Sequence, residues 1–324
     1  MHFSLSTLLK LWNKWFTRSD EQTRLNETLE QLIPLIDPLL LHTSGYPTLY
    51  RGAIQQASQY VDQLTTQTPG PIQLVAKNFT SDPLIRALFP SPQLLEENLR
   101  LSIAMREYQP VQPGKQQLFA VMGVRWSRNL RYGIERSGEI IQSSVPQQTI
   151  DFKDHTFTLP ASTEVEARQL LRDHFLSRLG NRVKEQIQSL KEQRDQLYLL
   201  GKRKENALRK SDQPAQPEKV EEIDRLWDSW RALNRQLDTD HAIDHFNSVM
   251  YSPSDHLQLE PYQLSIDPMG VERPPDEGGS TLNLMELHGG DQRIRTIMLV
   301  QFPWQRPPST DDQIQQAYRW LAIS

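Results

Sequence analysis

Two histidines in "DTDHAIDHF" (238–246) stand four residues apart, so a helix would carry His241 and His245 on one face, one turn above the other. Imidazoles at that spacing can share a metal ion, and Asp240 or Asp244 would supply an oxygen ligand. The glutamate that makes such a pair hydrolytic is missing, because Ala242, Ile243 and Asp244 fill the interval. A polar helix face accounts for the same residues. A metal-dependent enzyme centred on His241 and His245 is therefore an alternative reading, and neither a metal nor a cofactor is assigned.

A second candidate is "GKRKENALRK" (201–210), where Lys202, Arg203, Lys204, Arg209 and Lys210 face a single acid, Glu205. Clustered cations of this kind meet phosphates, in nucleic acid or in lipid headgroups. The acidic "EKVEEIDR" (218–225) follows closely enough to neutralise them, which makes a nucleic-acid-associated factor the third reading. The long stretch "DPMGVERPPDEGGS" (267–280) brings Asp267, Glu272, Asp276 and Glu277 together. Carboxylates without a positioned partner assign no chemistry, so it reads as an excursion between strands. No phosphate-cradling loop and no nucleophile-elbow motif occurs, and the absence of cysteine excludes thiolate chemistry, disulfides and Cys-ligated metals.

The third surface is "FSLSTLLKLWNKWFTR" (3–18), which holds three cations and no acid. On a helix, Leu5, Leu8, Leu9, Leu11, Trp12, Trp15 and Phe16 fall within an arc of roughly 160°. Lys10, Lys14 and Arg18 lie on the other side. Tryptophans at the edge of an apolar arc with lysines behind it suit the interface of an anionic membrane. The same arc would also dock on the chain's own helices. Charges inside the apolar segment argue against a signal peptide, and no run is long enough for a spanning helix.

Other elements must position these surfaces. The 324 residues carry 36 cations against 40 anions, a net charge of −4 with 37% hydrophobic residues, which suits a globular chain and argues against a uniformly basic nucleic-acid coat. From 22 to 108 the pattern is helical and punctuated by prolines, with helices expected near 22–42, 50–67, 71–89 and 91–107. "SPQLLEEN" reads as a helix start capped by Ser91, with Pro92 in its first turn. After the linker "QPVQPGK" (109–115) the period changes to two, and 116–160 reads as an antiparallel meander of about five short strands, with turns at "SG" (137–138) and "KDH" (153–155).

From Thr163, which forms a capping box with Glu166, a helix is expected to run to about Lys210. Leu176, Val183, Leu190 and Leu197 repeat every seven residues along it, with Leu179 and Leu200 three further on. Ile223, Leu226, Trp230, Leu233 and Leu237 form a matching seam on a returning helix, so 163–250 reads as an antiparallel helical hairpin. Because 218–238 is too short to match the outgoing helix, either the return continues through "HAIDHFNSVM" or the long helix breaks near Gly180 or Gly201. Residues 256–324 return to period two and end in a helix opening at Thr310.

The expected architecture is α+β: an amphipathic helix (1–18), a helical domain (22–108), a meander (116–160), a coiled-coil-like hairpin (163–250) and a β-rich segment (256–324) sharing its sheet with 116–160. The leading functional expectation is a non-catalytic interaction or scaffold protein of the cytoplasm, with the hairpin as its protein-binding arm. Its N-terminal helix would hold it at the inner face of a membrane.

Overall fold

The computed structural model describes residues 22–108, 116–137, 140–210, 217–290 and 294–304. The helix expected over 3–18 and the one expected from Thr310 lie outside the described residues. The fold is α+β, with an antiparallel sheet assembled from two segments and a long helical hairpin between them in sequence. Two compact units form, one from residues 22–62 with 174–257 and one from 63–173 with 258–304. Residues 22–108 contribute to both.

The first unit is helical. Its elements are α1 (22–36), a 3-10 turn (Pro38–His42), most of α2 (Thr48–Gln67), most of α6 (Glu164–Arg209), α7 (Pro217–Gln236) and α8 (Thr239–Met250). Leu29, Leu32, Ile33 and Ile36 on α1 recur at helical spacing and are buried, as are Tyr50, Ala53, Ile54, Ala57 and Val61 on α2. α6 answers with Phe175, Leu176, Leu179, Val183 and Ile187, and α8 with Ala242, Ile243, Phe246, Val249 and Met250. Tyr50 meets Phe246 edge to face at 5.0 Å between ring centres, and its hydroxyl shares a 2.9 Å hydrogen bond with Thr43. Asp37 caps the 3-10 turn through Leu39 N–H and takes a 2.6 Å ion pair from Lys191.

The return of the hairpin does continue through "HAIDHFNSVM", which is α8. The 46-residue α6 is unbroken. Its glycines are notches instead: a Cβ on Gly180 would lie 2.6 Å from Leu32, and one on Gly201 3.1 Å from the Trp227 ring. Thr163 accepts from Glu166 N–H, while the Glu166 carboxylate reaches back to Ser162 N–H, so the expected capping box forms with its second bond one residue earlier.

The second unit holds α3 (Pro83–Leu88), α4 (Pro92–Leu101), α5 (Ile103–Glu107) and the strands β1 (Ile72–Gln73), β2 (Gln116–Ser137), β3 (Ile140–Ala161), β4 (Leu257–Ile266), β5 (Ser280–Gly289) and β6 (Ile294–Trp304). The sheet order is β3-β2-β6-β5-β4, with β1 added parallel to β6. Alternate residues of β2 (Leu118, Ala120, Met122, Val124) and of β6 (Met298, Val300, Phe302, Trp304) face Ile85, Leu88, Phe89, Leu95, Leu99 and Met105 of the short helices. Ser91 caps α4 through Leu94 N–H, with Pro92 in the first turn, as expected.

The expected five-strand meander is corrected to one hairpin of two 22-residue strands. The proposed turn at 153–155 is a bulge. Register shifts occur at three places along β2–β3, and at each a β3 residue adopts positive φ: Ser144 (63°), Asp154 (56°) and Leu159 (54°). Each inserts an extra residue that coils the ribbon without ending the pairing, so turn-forming residues appear inside a strand.

Candidate functional sites

His241 and His245 do share a face of α8, and among the described residues no third ligand is placed with them. Asp240 Oδ1 accepts a 2.8 Å bond from Ser44, and among the described residues no group of three or more His, Asp or Glu side chains is placed to hold a metal ion. The buried side of the same helix explains its amphipathic pattern.

Two carboxylates of 267–280 are drawn into the fold, while Asp276 and Glu277 stay exposed. Asp267 accepts from Met269 N–H (2.8 Å) and Val271 N–H (3.0 Å) and pairs with Arg273. Glu272 pairs with Arg128 at 2.8 Å, and this bond holds its carboxyl below the usual range and raises the guanidinium's pKa further. Backbone bonds from Ile150 N–H to Gly270 O and from Glu272 N–H to Gln148 O dock the loop on β3. Asp267 and Glu272 brace the ribbon. Beside them a cleft of about 550 Å³ is lined by Arg86, Asp151, Phe152, Ile266, Asp267 and Ser280, among others. Asp151 pairs with Arg131 and accepts a hydrogen bond from the Asn129 amide.

Beyond the braced loop, Leu130, Tyr132 and Ile134 alternate along one face of β2 and are exposed. Their cross-strand partners are Gln148, Pro146 and Ser143, too polar or too small to cover them.

The outer half of the helical hairpin carries the largest set of unusual surface groups. Where α6 and α7 meet, Tyr198, Trp227 and Trp230 form a ring cluster with centres 5.8–6.1 Å apart. Lys202 lies over both Trp227 (5.3 Å) and Tyr198 (6.0 Å). Trp230, expected as a buried knob, is only half-buried, as are Leu226 and Leu233. Leu200, expected on the seam, is 42% exposed, because Gly201 occupies the seam and Trp227 covers it.

The basic tip is partly neutralised in the way its acidic neighbour suggests. Lys204 pairs with Glu222 across the hairpin, and Lys202 and Arg209 both pair with Glu205. Arg203 is exposed and has no partner among the described residues.

Sequence reasoning passed over Leu199, which is 56% exposed, and Asp195 beside it. The signal was present: four successive apolar residues, Leu197 to Leu200, cannot all face one seam on a helix. Comparison of the chain with protein-family models, with curated proteins and with solved structures returned no match. Among the described residues no helix is long and apolar enough to cross a membrane.

Proposed function

We propose that this chain is an interaction protein whose helical hairpin, from Glu192 to Gln236, is its protein-binding arm. The observation that carries the reading is the apolar turn Leu197–Leu200, which a single neighbouring helix covers on one side while Leu199 and Leu200 stay 56% and 42% exposed. Apolar side chains on opposite sides of one helical turn need more than one neighbour to cover them. The half-buried aromatic cluster beside it adds amphipathic anchors of the kind that dominate interfaces.

Replacing 192–236 with a short Gly/Ser linker tests this. The cut spares Lys191, which binds Asp37, and Ala242 to Met250, which are core. The shortened chain should keep its cooperative melt and lose the proteins that co-purify with the full chain. An unchanged set of co-purifying proteins would reject the arm. The cationic segment 3–18 is a second contact in this proposal, made reversibly with an anionic bilayer and motivated by Trp12, Trp15 and its three cations. In vesicle flotation, the full chain should float with anionic vesicles, and deletion of 1–18 or Trp12→Glu should prevent it.

A further inference from the structure

We infer that the arm's partner is a second copy of this chain, with the outer faces of two α6 helices pairing antiparallel about a two-fold axis through Leu199. The inference rests on the arm reading and names the occupant. The α7-facing side of α6 is marked by Leu197, Gly201, Lys204 and Leu208, which are buried or half-buried. At 100° per residue, Glu192, Asp195, Leu199, Arg203, Asn206 and Lys210 fall roughly 120–200° away from Gly201. All six are exposed. They form a continuous stripe at three- and four-residue spacing, which is the form of a helix-packing seam.

Charge complementarity selects the occupant. Along this stripe the acids Glu192 and Asp195 precede Leu199, and the cations Arg203 and Lys210 follow it. A stripe whose sign reverses about an apolar centre is complementary to itself run backwards, which is the requirement of an isologous two-fold interface. With the axis at Leu199, that side chain meets its own copy and Asp195 meets Arg203 of the second copy, twice by symmetry. Parallel pairing would set Asp195 on Asp195 and Arg203 on Arg203, a repulsive arrangement.

Among the described residues nothing competes strongly for Asp195 and Arg203. Arg203 has no partner among the described residues, and Asp195 is held by its neighbour Arg194 in a pair whose carboxylate is 64% exposed. An ion pair so exposed contributes little to stability. The apolar turn at 197–200 would then be covered by α7 on one side and by the second copy on the other. The contact spans only a few turns, so the dimer belongs to the small, reversible class and forms as concentration rises.

The chain contains no cysteine, so single introduced thiols report self-contact without interference. In the full chain, Leu199→Cys should oxidise to a disulfide-linked dimer. Glu192→Cys should not, because the axis places the two copies of that position about 21 Å apart at 1.5 Å per residue. Sedimentation equilibrium should show a reversible wild-type dimer. D195R and R203E alone should each raise its Kd about tenfold, and the double variant D195R/R203E should restore it to within about threefold of wild type.

A wild-type chain that stays monomeric across the micromolar range overturns the inference. So does a double variant as weak as the singles, or a disulfide dimer through Glu192→Cys. A monomeric chain that still loses its co-purifying proteins when 192–236 is removed would reject self-pairing and leave the arm reading standing.

Discussion

The two halves of α6 have the same helical backbone and a similar density of large apolar residues, yet different environments. In the inner half, Phe175, Leu176, Leu179, Val183 and Ile187 are all buried, because α1, α2 and α8 of the same unit supply apolar faces around them. In the outer half, Leu197 is half-buried and Leu199 and Leu200 are exposed, where α7 packs on Tyr198 and Gly201. Apolar content therefore does not decide burial here. The number of neighbouring elements does, and one helix cannot cover another on all sides.

The sharpest way to break the comparison is to truncate one large side chain in each half. Phe175 is fully buried, so Phe175→Ala should cost about 3–5 kcal/mol in urea unfolding through lost transfer energy and the cavity left behind. Trp230 is half-buried, so Trp230→Ala should cost only about 1–2 kcal/mol despite the larger ring. Equal losses would show that the outer seam is packed like a core, and the arm would then offer no free apolar surface.

This difference was only partly legible in the sequence. The ends of α6 followed from Thr163 with Glu166 and from the break after Lys210, because caps and helix breakers act locally. The pairing of β2 with β3 followed from alternation, while their length did not. Asp154 looks like a turn residue, and only the opposite strand, paired continuously on both sides of it, makes it a bulge. β1 was illegible for a different reason, since two residues have no periodicity. Its place depends on Leu299 N–H reaching Pro69 O (2.8 Å) and on Gly70, at φ 111°, whose missing Cβ leaves room for Leu299 O. At the candidate site, the heptad of leucines was visible and its saturation was not. Which of Leu197, Leu199, Leu200 and Gly201 faces α7 depends on where Trp227 lands.

A smaller effect should appear with pH, and it arises in the sheet unit. His155 is half-buried and stacked on Phe89, and burial pushes its pKa below the ordinary 6.5, with the Leu88 carbonyl and Asp154 opposing. The folded pKa is below the unfolded value, so the unfolded state binds the proton first as pH falls. The contribution is intact above the unfolded pKa near 6.5 and is lost progressively below it. Urea midpoints should be flat from pH 8 to 7 and fall below about 6.5, and His155→Gln should reduce that fall. A midpoint unchanged down to pH 5 would mean that this imidazole is not desolvated.

The finest test compares the two glycine notches. Alanine in place of glycine inside a helix gains up to about 1 kcal/mol by reducing the freedom of the unfolded chain and improving propensity. At Gly180 the new Cβ would lie 2.6 Å from Leu32 Cδ1 and 3.5 Å from Ile36 Cγ1, both side chains buried. Neither has space to retreat, so overpacking should exceed the gain and Gly180→Ala should destabilise by about 1 kcal/mol. At Gly201 the nearest atoms are those of the Trp227 ring at 3.1–3.4 Å. That ring is half-buried and can move a few tenths of an ångström toward solvent, so strain and propensity should nearly cancel. Gly201→Ala should therefore fall within about 0.5 kcal/mol of wild type in urea unfolding, with Trp227 fluorescence shifted by the displaced ring. A loss as large as that at Gly180 would mean that the outer seam resists a methyl group as a core does, and the contrast between the two halves of α6 would fail at its most sensitive point.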